Sequence, residues 1–336
     1  MGTFQRRQFL IASGALLSAP SAIAQQQSKT RTLGLIGVGL RPTAKENADS
    51  PMLARLRELG WTEGLNLIIE RSYAEGRTDL LPELVAELIA KRPDVIWTHN
   101  PEATIALARA TKTIPIVFWS VPFPVEQGLI DSFARPGRNV TGVAFFPGVE
   151  IATKRLELLR NCAPDIKRVA WIQSANILGM VAGGTYRAVT KAADIAAQNL
   201  GLQLQHYWIE TREDLDAMFN SIVTLRLQAF VMPINQLLWQ HRQLIIDFAM
   251  RNQLPNVYGW SGIVEAGGLA SYGADQNDMA AYSMRYVDKI LRGARPADLP
   301  VEIPNRYVLA VNLKAAKALG LKISQSVLLR ADQVIE

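Results

Sequence analysis

Short apolar runs alternate with longer amphipathic stretches along most of this chain, and that alternation restricts it to few folds. Leu33 to Val38 reads as a buried strand, and Ser50 to Leu59 as a helix closed by Gly60. Leu67 to Tyr73 is a second strand. Leu80 to Ala90 places Leu80, Leu81, Leu84, Val85, Leu88 and Ile89 at helical spacing. Asp94 to Thr98 is a third strand, Glu102 to Thr111 a helix and Ile114 to Trp119 a fourth strand. Near-continuous apolar strands joined by helices belong to a parallel sheet covered on both faces.

The pattern then restarts. Val140 to Phe146 is extended, and Val149 to Asn161 reads as a helix. Strands are expected at Val169 to Gln173, Leu202 to Trp208, Ala229 to Met232, Asn256 to Tyr258 and Leu269 to Tyr272. Helices are expected between them at Thr185 to Asn199, Arg212 to Leu225 and Leu238 to Asn252. Two successive β-α-β series predict an α/β protein of two doubly wound lobes. Pro147-Gly148, Gly267-Gly268, Gly273, Pro296, Pro300 and Pro304 mark candidate passages between the lobes. No solenoid-length repeat is present. With 336 residues, 49% hydrophobic and 20% charged, the chain has material for two cores.

The N-terminus points outward. Arg6-Arg7 precedes the apolar run Phe9 to Ala19, and Ala22-Ile23-Ala24 follows. This is a twin-arginine export signal with an Ala-x-Ala cleavage site. The run is shorter than the roughly 20 residues needed to span a bilayer. Cleavage near Ala24 and a periplasmic location are expected, with no membrane span in the mature chain. Removing the two arginines takes the net charge from +6 to +4. Without nucleic-acid motifs, that balance predicts no nucleic-acid partner. Cys162 is the only cysteine, so no intrachain disulfide and no lipoprotein anchor is expected. Near the end of a helix it reads as a small packed residue rather than a nucleophile.

Cofactor and catalytic motifs fail one by one. Gly37-Val38-Gly39 follows the first strand, but a dinucleotide fingerprint needs another glycine where Pro42 stands. No Walker loop and no Gly-x-Ser-x-Gly elbow occurs. His99, His206 and His241 lack partners at metal spacing. His99 does end a strand, where it could meet a ligand, but a lone histidine is more often structural. The acidic run Glu213 to Asp216 reads as a helix start, where carboxylates favour the positive end of the dipole. No metal, no cofactor and no catalytic residue is expected.

In doubly wound sheets, ligands sit beyond the carboxyl ends of the strands. Those ends carry Thr98 and Asn100, Trp119 and Ser120, Phe145, Gln173, Asn235, Tyr258, Trp260 and Tyr272. Aromatic faces beside amides and hydroxyls suit a small organic ligand with an apolar body and a polar tip. Asn100, Ser120, Gln173 and Asn235 are expected to supply hydrogen bonds, Trp119 and Trp260 to hold the ligand between lobes, and Arg41 to meet a carboxylate.

Four stretches carry a family resemblance. Ile114 to Gly142 contains Ile-Pro-Ile-Val-Phe, Pro-Val-Glu-Gln-Gly-Leu-Ile and Arg-Pro-Gly-Arg-Asn-Val-Thr-Gly; Gly267 to Gly273 reads Gly-Gly-Leu-Ala-Ser-Tyr-Gly. Residues 286–321 carry Tyr-Val-Asp-Lys-Ile-Leu, Pro-Ala-Asp-Leu-Pro-Val-Glu and Asn-Leu-Lys-Ala-Ala-Lys-Ala-Leu-Gly-Leu, and the end is Leu-Leu-Arg-Ala-Asp-Gln-Val-Ile-Glu. The mature chain thereby resembles the ABC-transporter substrate-binding family that includes tryptophan-binding periplasmic proteins. The resemblance implies a type I periplasmic-binding-protein fold: two Rossmann-like lobes, a hinge crossed three times and ligand in the cleft. It places residues 30–146 plus 274–302 in an N-terminal lobe and residues 147–273 plus 303–336 in a C-terminal lobe, after a 1–24 signal. It also implies an ABC permease with a cytoplasmic ATPase as partner. A monomer is expected.

The sequence departs from the family pattern at Phe123, where Asp before Pro-Val is usual. Asn235 stands where an acidic group would suit a ligand ammonium. An uncharged or carboxylated aromatic compound therefore fits as well as an amino acid. The function expected is capture of a small organic solute for uptake. The alternatives are a periplasmic enzyme and a ligand-sensing partner of a membrane receptor on the same fold.

Overall fold

A computed structural model describes residues 30–145, 149–174, 184–233, 236–303 and 306–336. Its first sheet contains β1 (Arg31–Gly37), β2 (Leu67–Tyr73), β3 (Val95–Thr98), β4 (Ile116–Val121) and β5 (Val140–Ala144), in the order β2-β1-β3-β4-β5. Every pairing is parallel. The expected boundaries hold within a few residues, and the four-residue β3 is buried throughout, as a strand covered on both faces must be.

The second sheet contains β6 (Arg168–Ser174), β7 (Gln203–Ile209), β8 (Ala229–Met232), β9 (Asn256–Tyr258), β10 (Ala270–Ala274), β11 (Tyr307–Asn312) and β12 (Gln333–Ile335). Its order is β12-β11-β10-β9-β8-β6-β7. Only the β10–β11 pairing is antiparallel. Both sheets are therefore doubly wound, and the two lobes are α/β with Rossmann-like order.

The tail distributes itself between both lobes. Helix Gln276–Leu291 buries Met279, Met284, Tyr286, Val287, Ile290 and Leu291 in the core of the first sheet. Full burial of such side chains is worth about 1.5–3 kcal/mol each. Asp275 caps this helix by accepting from the amides of Asn277 and Asp278 at 2.9 and 3.1 Å. Trp97 of β3 donates its indole N–H to Ser283 Oγ of the same helix at 2.8 Å. β11 and β12 then return to the second sheet.

Three sequence expectations change. The single helix over Leu238 to Asn252 is two helices, Gln236–Gln240 and Arg242–Arg251, separated at His241, whose ψ of 14° leaves the helical range. The last expected strand runs to Ala274 rather than Tyr272. The helix at Gln276–Leu291 and the strands β11 and β12 were absent from the expected element list. That helix buries Gln276 and Ser283 along its apolar stripe, which blurs its periodicity. Thr211 accepts from the Asp214 amide, and Asp214 answers to the Thr211 amide, so the acidic run is a capping box. Cys162 is buried, and desolvation pushes its thiol up to about 12, as suits a packed residue.

Among the described residues no helix is long and apolar enough to cross a membrane. The signal segment, Pro147-Gly148, Pro304 and Asn235 lie outside the described residues.

Candidate functional site

Each sheet reverses its strand order once. In the first sheet the reversal lies between β1 and β3, and in the second between β6 and β8. Chain leaving the two strands at a reversal diverges to opposite faces and opens a crevice at their carboxyl ends. A cleft of about 380 Å³ lies between the lobes and takes residues from both reversals.

From the first lobe the wall begins with His99 and Asn100, directly after β3. Asn100 is buried and its Oδ1 accepts the Val38 amide at 2.8 Å, which ties the chain leaving β3 to the chain leaving β1. His99 lies in an aromatic stack: its ring is 5.7 Å from Trp97 and 5.8 Å from Trp119, and Trp97 and Trp119 are 6.1 Å apart. Gly37 makes this packing possible, because a Cβ there would come within 2.6 Å of His99 Cε1. Burial among these rings pushes the imidazole down to about 4, so it is neutral at physiological pH. Ser120 has φ of 62°, a left-handed conformation uncommon outside glycine, and its hydroxyl donates to Gln276 Oε1 at 3.4 Å. Phe123, also at positive φ, and Phe145 complete this side.

The second lobe contributes Trp171 and Gln173 of β6, which share a face by the strand's alternation. Gln173 Nε2 donates to Thr190 Oγ1 at 3.0 Å. Trp239 and Trp260 pack at 3.9 Å between centroids, and the Arg242 guanidinium lies 3.9 Å over Trp239. Arg155, on helix Glu150–Cys162, donates from Nε to the Tyr272 carbonyl at 2.9 Å and reaches the cleft wall. Glu102 is the acidic group on the wall, and burial pushes its carboxyl upward. Among the described residues no group of three or more His, Cys, Asp or Glu side chains is placed to hold a metal ion.

Of the residues nominated from sequence, the cleft brings together Asn100, Trp119, Ser120, Phe145, Gln173 and Trp260. Four nominations lie elsewhere. Thr98 is fully buried as the last residue of β3. Tyr258 is fully buried too, edge-on to Phe230 at 5.8 Å, with burial holding its phenol well above the usual range. Tyr272 stacks on Tyr307 at 5.7 Å and offers its carbonyl to Arg155, while Arg41 is exposed and lies over the Tyr73 ring at 5.4 Å. The physical reason is common to Thr98 and Tyr258: the last residue of a covered strand still faces a layer of helices, and the wall begins one or two residues later, at His99 and Trp260. Asn235 falls outside the described residues.

Sequence reasoning missed Trp171, Trp239, Arg155, Glu102 and Gln276 and favoured a structural role for His99. Trp171 carried a signal, since it stands two residues before Gln173 on the same strand face. Arg155 carried none, being one of several cations on an amphipathic helix.

A family model described as ABC transporter substrate binding protein matches residues 43–335. A tyrosine-binding protein of Clostridioides difficile is 23% identical over 294 residues, which is 88% of this chain and 82% of that protein. Among solved structures, a conserved domain protein of Vibrio cholerae aligns with a TM-score of 0.79 at 25% identity, over 91% of this chain and 100% of that one. An ABC domain of Streptococcus pneumoniae in complex with L-Trp aligns with the same TM-score at 23% identity and the same coverage.

Proposed function

The chain belongs to the ABC transporter substrate-binding protein family, and from that membership we propose that it is the exported, solute-capturing component of an uptake transporter. It holds a small aromatic solute between its lobes and delivers it to a permease driven by a cytoplasmic ATPase. The observation that carries this reading is the cleft between the two strand-order reversals, walled by rings from both lobes. Its volume of about 380 Å³ lies in the range of small-molecule sites. The tyrosine-binding and L-Trp-bound relatives put aromatic amino acids among the first compounds to try.

Residues 30–146 plus 274–302 act as one lobe and residues 147–273 plus 303–336 as the other. Closure comes from backbone rotation at the crossings near Pro147, Gly273 and Pro304. Ligand supplies the driving force through its preference for the closed state. Residues 1–24 direct twin-arginine export, cleavage after Ala24 frees the mature chain in the periplasm, and that chain works as a monomer that binds without turnover.

The test is native mass spectrometry of the mature protein as purified, followed by thermal shift against amino acids and aromatic acids. A ligand at 100 times its dissociation constant stabilises by about 2.7 kcal/mol. Recovery of the bound compound unchanged supports the reading. Stoichiometric binding followed by a released product overturns it.

A further inference from the structure

A seat built from both lobes lies beside the cleft. On the first lobe, Ala74 to Arg77 makes a tight turn directly after β2. The Arg77 amide donates to the Ala74 carbonyl at 2.8 Å, and Glu75 and Gly76 both take positive φ, 50° and 86°. A glutamate in that left-handed conformation is strained. It is held there because the Glu75 and Gly76 amides donate to the carbonyls of Gly39 and Val38 at 3.2 and 2.7 Å. Asn100 in turn accepts the Val38 amide, so the turn is tied to the cleft wall. On the second lobe, helix Gln236–Gln240 follows β8, with Trp239 on the cleft wall and Gln240 next to it. A Cβ at Gly76 would lie 3.7 Å from both Oε1 and Nε2 of Gln240, so the amide of the second lobe stands over the turn of the first. Its Nε2 is buried there with no acceptor among the described residues.

The position of this seat gives it leverage. After β5 the chain enters the second lobe, where helix Glu150–Cys162 packs into the core of the second sheet. β2 is the opposite edge of the first sheet, four strand spacings from β5, or about 19 Å. Rotation about a crossing beside β5 therefore parts the chain beyond β2 further than any other part of that sheet's rim. Charge supports the same contact: hydrogen bonds from Thr43 hold the Glu46 carboxyl of the first lobe below its ordinary range, and the Arg242 guanidinium of the second lobe lowers it further. We propose that Gln240 is a clasp: its amide, seated on the Gly76 turn while the lobes are together, sets how slowly a captured solute escapes. Gln240 is not among the residues lining the cleft, so it acts through the lobes, as a positioning residue. The proposal rests on the solute-binding reading and adds to it what holds the mouth shut. The unmet Nε2 donor keeps the clasp weak, as a mouth that must reopen requires.

Two arms test this, the first without solute. Gly76→Cys and Gln240→Cys are combined in the mature protein, in a turn where Glu75 already carries a side chain at positive φ. Treatment with a bis-thiosulfonate reagent spanning one methylene should leave most of the protein with an internal bridge on intact mass, and two separately capped thiols overturn the clasp. The second arm follows release of L-tyrosine by stopped-flow tryptophan emission. Gln240→Ala should speed release by about threefold to tenfold, the scale for losing a short buried stem, with the association rate and the urea midpoint unchanged. Gln240→Met keeps the reach and drops the unmet donor, and should slow release by about threefold or more. Gln243→Ala, which removes an exposed amide paired with Asp247 on the next helix, should change nothing. Unchanged release from Gln240→Ala overturns the clasp and leaves solute binding standing, and so does release from Gln240→Met as fast as from Gln240→Ala. If L-tyrosine does not bind, the same variants are compared by how fast the compound retained in native mass spectra is lost on dialysis. A protein that retains and binds nothing takes down the clasp together with the solute-binding reading.

Discussion

Acidification gives the most direct physical test of the cleft wall, because His99 is held neutral there. Its ring lies among Trp97 and Trp119, and desolvation takes it from the ordinary value of 6.5 to about 4. Below 6.5 an unfolded chain takes up a proton at this position, whereas the folded chain declines it until the pH nears 4. The unfolded state therefore binds more protons throughout that window. Stability is complete above it and is lost as the pH falls through it. Each tenfold difference in proton affinity is worth about 1.4 kcal/mol, so a wholly enclosed ring would account for about 3 kcal/mol. One side of the ring reaches the cleft, where water screens the charged form, and about 2 kcal/mol is the expected effect. Carboxylates titrate over part of the same range, so the measurement is a difference. Urea unfolding of the wild type and of His99→Phe, which keeps a ring in the stack, is compared from neutral pH downward. The wild type should lose about 2 kcal/mol more than the variant as the imidazole protonates. Parallel stability curves for the two proteins would refute the reasoning, and so would an imidazole NMR titration centred near 6.5 in the folded state.

Other perturbations act on single named groups. Trp119→Ala should weaken a ligand found by screening by about 1–3 kcal/mol, the scale for losing a central aromatic contact; calorimetry showing no change would make Trp119 wall packing only. Asn100→Ala removes the acceptor for the buried Val38 amide, and should cost about 1–3 kcal/mol in urea unfolding; an unmoved midpoint would mean the chain beyond β1 finds another acceptor. Replacing Arg6 and Arg7 together by lysine should leave precursor in the cytoplasm on cell fractionation, and normal export of that variant would count against twin-arginine routing without excluding secretion.

Fold class was legible because strand burial leaves a plain mark. Val95 to Thr98 and Ala229 to Met232 are apolar or nearly so at every position, and only a strand covered on both faces uses such a run. The order of those strands was not legible, since β1 neighbours both β2 and β3 through hydrogen bonds that leave no trace in composition. The residue pattern did not show the return of the tail either, which was expected only from the family resemblance. Helix Gln276–Leu291 belongs with the first sheet and β11 with the second, and the contacts that decide this span more than a hundred residues, such as Trp97 with Ser283. The pair Gly37 and Gly39 attracted attention as a dinucleotide turn. For Gly37 the structure supplies a different reason: the His99 ring occupies the space a side chain would need.

The site was half legible for a reason that lies in how polar groups are used. Residue chemistry alone nominates amides and hydroxyls as ligand contacts and treats tryptophan as an apolar wall. In the folded chain the amide oxygens of Asn100, Gln173 and Gln276 serve the protein: they join the chain after β1 to the chain after β3, fix Gln173 against helix Gly184–Asn199, and hold Ser120 to helix Gln276–Leu291. Each such bond fixes part of the wall in place, at the expense of acceptors the ligand might have met. The indole N–H groups of Trp119 and Trp171, rings that sequence reasoning counts as hydrophobic, are buried with no acceptor among the described residues. The fold thus spends much of the polar chemistry of this wall on holding the wall itself, which is why residue type alone cannot tell a ligand contact from a structural one.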